Sequence, residues 1–300
     1  MKTIILNNEY RCPDTCAVAL GFFDGVHIGH RKILDEALAR KDDRVKSAIL
    51  TFLDREDFKP TNKRITTEEE RFRIFSRLGF DYLFLCDFNE IRDMTCRDFC
   101  KKILVGSCNA IVAVCGRNFK FGKGACGSSD DLIRYMNGRA VVCEELKANG
   151  NTVSSTSIRA LIQDGLIDKA NALLFSPFSV TAEVVHGKEL GRKIGVPTVN
   201  QQFPDSLTVP KFGVYVSRTF IDDESFPSVT NVGMHPTVND KLMNAETHII
   251  GFDKQLYGKT VTVEFLKYIR PEIKFASIDE LRRQIKADIE EAAAYGKNLD

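Results

Sequence analysis

No stretch of this 300-residue sequence approaches the apolar length of a membrane span, which argues against a membrane-embedded protein. The opening apolar stretch, Thr3 to Leu6, is too short for a signal-peptide core and runs at once into Asn7, Asn8 and Glu9. The expectation is a protein kept in the cytoplasm. No run of like charge is long enough for a nucleic-acid tail or a membrane patch, and the formal net charge is only +1. Neither nucleic acid nor membrane is therefore favoured as a partner. Internal repeats and low-complexity segments are also missing. Cysteine is absent after Cys143, and the odd total of nine argues against a disulfide framework. Cys12/Cys16 and Cys96/Cys100 share a four-residue spacing, but neither pair is followed by a second CxxC or HxxxH pair. Reduced, mostly buried thiols are preferred over a zinc site. His186, His235 and His248 are too scattered for a metal cluster.

What is present is 43% hydrophobic and 28% charged, the balance of a soluble globular protein. The length suggests two domains, and the abrupt end of cysteine usage hints at two modules with separate histories. The first half alternates. Strands are expected at Cys16–Phe22, Ser47–Phe52, Tyr82–Cys86, Ala110–Cys115 and Ala140–Cys143. Helices are expected at His30–Arg40, Thr66–Leu78, Thr95–Val105 and Ser128–Met136. Such alternation implies a parallel sheet covered on both faces, with ligands beyond the carboxyl ends of its strands. Two short helices, Ser154–Gln163 and Ile167–Phe175, then bridge to a different texture. From Ser179 to Lys267, short strands alternate with Gly/Pro turns, which suggests a closed β-barrel. A helix from about Ser277 to Ala294 carries one apolar stripe at 278, 281, 285, 289 and 292/293, so it should pack on the barrel. The expected domains are residues 1–175 and 176–300.

The loop after the first expected strand reads Gly21-Phe22-Phe23-Asp24-Gly25-Val26-His27-Ile28-Gly29-His30, and a helix follows. Two imidazoles three apart at a helix start share one face. Gly29 leaves room for a ligand, and helix-start N–H groups favour anions. Together they can hold a triphosphate and stabilise departing pyrophosphate. Ser154-Ser155-Thr156-Ser157-Ile158-Arg159 offers hydroxyls at another helix start, with Arg159 on the face of Thr156. An ordinary Ser/Thr cap with a surface arginine is the simpler alternative there.

The string G-x-F-D-G-V-H-x-G-H resembles the FAD synthetase module of prokaryotic bifunctional riboflavin kinases, a nucleotidyltransferase module marked by HxGH. Gly116-Arg117-Asn118-Phe119-Lys120-Phe121-Gly122 and the SSTSIR segment are similar to two further motifs of that family. The resemblance implies a Rossmann-like domain that adenylates FMN. It makes His27 and His30 catalytic. It places nucleotide and phosphate on Gly21, Asp24, Gly25, Gly29, Ser154, Ser155, Thr156 and Arg159, and flavin on Asn118, Phe119 and Phe121. Two departures stand out. Position 22 is Phe where the family usually has Asn, and Phe52 is followed by Leu53-Asp54-Arg55-Glu56-Asp57 where the family usually shows F-x-P-x-P.

In the second half, Gly187, Gly191 and Gly195 at spacing four could let the backbone wrap phosphates. Thr198 and Asn200 point to one side of an extended segment and offer hard oxygens suited to Mg²⁺. A Gly/Pro-rich barrel turn is the simpler reading of these residues alone. The segment G-x-x-x-G-R-x-x-G-x-P-T-x-N from Gly187 to Asn200 resembles the riboflavin kinase signature. The likeness continues through Phe212–Tyr215, Asn231–Gly233 with Pro236-Thr237, Glu246-Thr247-His248, Leu256–Lys259 and Ile269–Glu272 with Phe275. It implies a riboflavin-kinase-like barrel in which Arg192 and the three glycines meet nucleotide, Thr198 and Asn200 hold Mg-ATP, Arg270 contacts flavin and Glu246 is the catalytic base. Gly251 stands where the family usually has Asp.

The leading expectation is thus a two-site enzyme that uses ATP with Mg²⁺, riboflavin and FMN, with small-molecule partners and an oligomeric state that includes a homo-oligomer among the options. The alternatives are a riboflavin kinase with a degenerate first module, a first module acting on another phosphorylated acceptor, and a non-catalytic flavin-binding protein.

Overall fold

A computed structural model describes residues 1–7, 9–53, 63–148, 150–187, 191, 195–222, 224–236 and 241–296. The chain forms two compact units, Met1–Thr61 with Thr67–Ser155, and Asn62–Thr66 with Thr156–Asp300.

The first unit is built on a six-stranded sheet in the order β1-β4-β3-β2-β5-β6. Its strands are β1 Lys2–Ile5, β2 Thr15–Leu20, β3 Val45–Phe52, β4 Tyr82–Cys86, β5 Ala110–Gly116 and β6 Ala140–Cys143. All pairings are parallel. β2 and β4 are near-continuous apolar runs because helices cover both their faces. Five of these strands match the expected ones. β1 was not anticipated: it is a short edge strand that leaves Ile5 61% exposed, so no burial pattern announces it. Helices α1 Ile28–Leu38, α2 Glu68–Arg77, α3 Phe88–Ile91, α4 Cys96–Asp98 and α5 Ser129–Tyr135 connect the strands. α4 starts under a Thr95 cap, whose Oγ1 accepts from Asp98 N at 3.1 Å, and runs on into a wider, π-helical stretch, Phe99–Ser107. α5 opens with a capping box, Ser128 and Asp131 bonding each other's backbone N–H. A small hairpin of β7 Lys147–Ala148 and β8 Asn151–Thr152 closes the unit.

In the second unit, helices α6 Ser155–Gln163 and α7 Ile167–Asn171 precede a closed barrel in the order β10-β13-β12-β11-β14-β9. The barrel strands are β9 Ser179–Val185, β10 Val199–Gln202, β11 Gly213–Ile221, β12 Glu224–Pro236, β13 Lys241–Ile249 and β14 Thr260–Arg270. α7 is anchored to the barrel by Asn171, which donates to Phe265 O at 2.8 Å and accepts from Phe178 N at 2.9 Å. The barrel buries an unusual row of hydroxyls: Ser217 meets Thr230 at 2.7 Å and Thr230 meets Thr247 at 2.9 Å. Each satisfies the next, so their burial carries little desolvation cost.

The terminal helix, Ile278–Gly296, packs where its stripe predicts, with Ile289 and Ala292 against Val214, Val216, Val229 and Leu266. Beside that apolar contact lies a buried ion pair. Arg270 at the end of β14 holds Asp288 of the helix by a fork, Nη2 to Oδ2 at 2.7 Å and Nε to Oδ1 at 3.1 Å. Asp288 is 3% exposed, so removing it leaves a guanidinium in low dielectric without its counter-charge. Asp288→Ala is expected to cost the barrel unit about 3–5 kcal/mol. Urea unfolding followed by a probe in the second unit would check this, and a loss under about 1 kcal/mol would show the pair to be dispensable.

Candidate active sites

β2 lies between β3 and β5, so the chain leaves it for one side of the sheet and later returns on the other. At such a switch point the loops beyond the carboxyl ends of the strands form a crevice. The loop after β2 fills it. Phe23 (φ 59), Gly25 (φ 77) and Val26 (φ 40) all take left-handed backbone. A β-branched residue there is a strained outlier of the kind that collects at ligand sites. Phe23 is 1% exposed, and a Cβ on Gly21 would meet its ring at 2.9 Å, so glycine is required at 21.

His27 is the N-cap of α1: its Nδ1 accepts from His30 N at 3.2 Å. An imidazole that accepts at Nδ1 carries its proton on Nε2, which is thereby left as a donor. The two rings stack at 3.5 Å between centroids. Phe23 meets His30 edge-on at 5.3 Å. Burial pushes His27 from its ordinary 6.5 down to about 4. His30 is pushed well below its ordinary value by burial, by His27 and by the Arg71 guanidinium. Both rings are neutral at pH 7. His30 Nδ1 is buried with no hydrogen-bond partner among the described residues, a polar atom that bound ligand or water could satisfy. Gly29 accommodates the stacked pair, since a Cβ there would sit 3.1 Å from the His27 ring. Ser155 reaches the same loop, its Oγ donating to Asp24 O at 3.1 Å. Thr156 and Arg159 fall in the second unit, where Arg159 Nη2 donates to Thr156 Oγ1 at 3.0 Å. Phe22 covers the buried Arg71, whose guanidinium lies 3.9 Å from the ring centroid, so the unusual residue at 22 is matched by a cation–π contact. Residues 54–57 of the altered loop lie outside the described residues.

Beyond β3 and β5 opens a cavity of about 540 Å³ walled by Phe52, Phe88, Ile91, Phe99, Phe119 and Phe121, with Arg92, Lys120 and Lys123 also lining it. Phe119 and Phe121 stack at 5.7 Å, and Phe99 leans on Phe121 at 5.4 Å. Of the three expected flavin residues here, Phe119 and Phe121 line the cavity. Asn118 does not, and its Oδ1 lies 3.4 Å from where a Gly116 Cβ would stand. Sequence reasoning missed Phe88 and Phe99. Phe88, which opens the first helix after β4, was an available signal, whereas Phe99 stands one turn into the helical run that begins at Cys96.

In the barrel, register assembles the site. Asn200 on β10 and Asn231 on β12 both stand opposite Glu246 on β13. Asn200 is buried, and its Oδ1 accepts from Asn244 Nδ2 at 2.9 Å. Gly187 packs against this amide, since a Cβ would lie 2.3 Å from Asn200 Nδ2, and a Cβ on Gly191 would lie 2.3 Å from Val196 O. Gly195 takes φ 80, and Arg192 lies outside the described residues. A cleft of about 270 Å³ between barrel and terminal helix is lined by Thr198, Asn231, Glu246, Arg270, Phe275 and Ile285, among others. A second cleft, lined by Val199, Ile249, Phe252, Leu256 and Tyr257, also has Thr198 in its wall. His248 Nδ1 is bonded to Pro197 O at 2.8 Å, which ties β13 to the PTxN segment. Glu272 lies across Gly233, where a Cβ would stand 2.4 Å from its Oε1.

A parallel α/β unit with a histidine pair at its switch point, followed by a six-stranded barrel with a carboxylate in a cleft, defines a two-module transferase acting on nucleotide and an aromatic substrate. Family models agree: FAD synthetase matches residues 9–157, and riboflavin kinase matches residues 174–296. The bifunctional riboflavin kinase/FMN adenylyltransferase of Bacillus subtilis is 33% identical over 100% of this chain and 99% of its own. That of Escherichia coli K12 is 32% identical over 94% of each. The crystal structure of a macrolide-efflux protein from Streptococcus pneumoniae superposes with a TM-score of 0.88 at 32% identity, over 97% of this chain and 98% of that one. No helix among the described residues is long and apolar enough to cross a membrane. This chain belongs to the bifunctional riboflavin kinase/FMN adenylyltransferase family.

The low value for His27 gives a pH dependence. Between pH 6.5 and 4 the unfolded chain binds a proton that the folded loop refuses, so stability is full above 6.5 and falls as pH drops toward 4. His27→Asn keeps a capping side chain without titration. Its melting temperature is expected to fall less steeply than that of the parent between pH 6.5 and 4. Parallel slopes would show that His27 does not titrate in this way.

Proposed function

We propose that the barrel phosphorylates riboflavin to FMN and that the parallel-sheet unit adenylates FMN to FAD, both from ATP. The functional modules are residues 1–175 and 176–300, in line with the two family matches at 9–157 and 174–296. The supporting observation for the kinase is Glu246, facing the cleft in register between Asn200 and Asn231. Its carboxylate takes the proton of the terminal ribityl hydroxyl as that oxygen attacks the γ-phosphorus. Thr198 stands in the walls of both clefts, at the place where nucleotide phosphate and flavin hydroxyl would meet. The apolar ring of Val199, Ile249, Phe252 and Leu256 suits adenine, and Phe275 and Ile285 suit the flavin. Arg270 lines the flavin side, held in place by Asp288.

The donors near Asn200 suit Mg²⁺. Thr198 and Asn200 supply oxygens, and Asn244 Oδ1 is a buried oxygen with no hydrogen-bond partner among the described residues. When bound with ATP, Mg²⁺ would offset charge on the transferred phosphoryl group. Gly187 and Gly191 let the chain pack closely around Asn200 and Val196, and Arg192, which follows Gly191 in the sequence, is assigned to nucleotide phosphate.

In the first unit, the FMN phosphate attacks the α-phosphorus of ATP and pyrophosphate leaves. No covalent enzyme intermediate is required. Neutral His27 and His30 donate N–H to phosphate oxygens, beside the N-terminus of α1, and losing one such donor costs about 10²–10³ in rate. The cavity built by Phe119 and Phe121 takes the isoalloxazine ring, with Lys120 and Lys123 near for the phosphate. The reactions belong to the cytoplasm, where their small-molecule substrates are found.

Glu246→Gln is expected to slow FMN formation from riboflavin by about 10²–10⁴ while FMN-to-FAD conversion continues. His30→Ala is expected to do the reverse. Fluorescence-detected chromatography of flavins after incubation with ATP and Mg²⁺ reads both, and loss of both activities in either variant would sink the two-site assignment. Phe119→Ala is expected to raise KM for FMN by about two- to tenfold in adenylation and to leave the kinase KM for riboflavin unchanged.

A further inference from the structure

Among the nine cysteines, one pair combines contact with access. Cys96 and Cys126 are 30 positions apart, yet their sulfurs are 3.4 Å apart, and Cys126 is exposed. Cys96 sits in a slot made for its sulfur: a Cβ on Gly122 or Gly127 would stand 2.6 or 2.7 Å from Cys96 Sγ. Its thiol also donates to Phe121 O at 3.7 Å. The loop carrying Cys126 is closed at its base by a bridge between Phe121 and Gly127 and pinned by Lys123 N, which donates to Met94 O at 2.7 Å. It turns through two left-handed residues, Gly124 and Ala125, just before Cys126. The other close pair, Cys12 and Cys16, is 3.8 Å apart but buried on both sides, so no small molecule reaches it.

We propose that Cys96 and Cys126 are a disulfide modification site, closed by exchange with a low-molecular-weight disulfide such as oxidised glutathione. In the first step Cys126 gives up its proton to solvent, and its sulfur attacks one sulfur of the small disulfide. A mixed disulfide forms on Cys126, and the first small thiol leaves with a proton. Cys96 sulfur, already in contact, then attacks Cys126 Sγ and loses its own proton. The Cys96–Cys126 bond forms, the bond to the second small thiol breaks, and that thiol leaves protonated. Two protein thiols are oxidised and one small disulfide is reduced to two thiols. The sulfurs must close from 3.4 Å to a bond of about 2.05 Å, a movement the exposed Cys126 side chain supplies. The crosslink staples the Phe121–Gly127 loop to the first turn of α4. Because Phe121 to Ala125 line the aromatic cavity, the staple fixes one wall of it. The sequence shows Cys96 near Cys100 in spacing, and only the fold brings Cys126 to it.

The test uses the full-length protein, incubated natively with oxidised glutathione, then denatured, alkylated and mapped by mass spectrometry. The expected product is a Cys96–Cys126 linked peptide with every other cysteine alkylated, reversed by dithiothreitol. It should form at least about tenfold faster than any other thiol reacts. Amide exchange over residues 121–127 should slow in the crosslinked form. Cys96→Ser should trap the mixed disulfide on Cys126, and Cys126→Ser should leave Cys96 a thiol. A persistent glutathione adduct on Cys126 of the parent protein, a Cys12–Cys16 crosslink at comparable rate, or unchanged exchange in the loop would each overturn the proposal. None of these readouts depends on what the cavity binds.

Discussion

Side chains alternate along a strand, so the pairing register decides which of them share a face. Slipping β13 by one residue against β10 and β12 would turn Glu246 into the barrel and bring Thr247 out. The buried row Ser217, Thr230 and Thr247 pins that register, because each hydroxyl is satisfied by its neighbour. A slip would bury a carboxylate and strand the hydroxyls, and both cost free energy. The polar interior of the barrel therefore fixes its chemical exterior, with Glu246 between Asn200 and Asn231.

The first unit answers to the same constraint in parallel form. Leu20 of β2 pairs with Leu50 of β3, and Val114 of β5 with Ala19, so the carboxyl ends of these strands lie close together, with β3 running on to Phe52. The loops beyond them are then neighbours without further design. What distinguishes the crevice is the backbone cost accepted at Phe23 and Val26 to set His27 at the helix cap. In His27, Nδ1 serves α1 as its cap, which leaves Nε2–H as a donor. Burial keeps both imidazoles neutral near pH 7, which suits a donor role.

The departures at the N-terminal site read differently once placed. Phe22 is not an isolated oddity but half of a contact with Arg71, itself buried and close enough to His30 to lower its proton affinity. The aromatic cavity is likewise a joint product of segments after β3, β4 and β5. Phe119 and Phe121 alone would make a stacked pair on a loop. With Phe52, Phe88 and Phe99 they make an enclosure.

By itself the sequence determined the alternating half, the barrel half, helices opening near Thr66, Thr95 and Ser128, and the apolar stripe of the terminal helix. These are local: periodicity and capping act within a few residues and survive any tertiary arrangement. The HxGH and PTxN segments were legible for the same reason, since their residues are neighbours in the chain. Tertiary structure decided what depends on distant segments meeting. It paired β1 with β4 although β1 shows no burial pattern, and it drew Asn244 to Asn200. It also committed Arg270 to Asp288 and set Cys96 against Cys126 rather than Cys100. No spacing rule reports such contacts, because packing and register choose them after the local elements already exist.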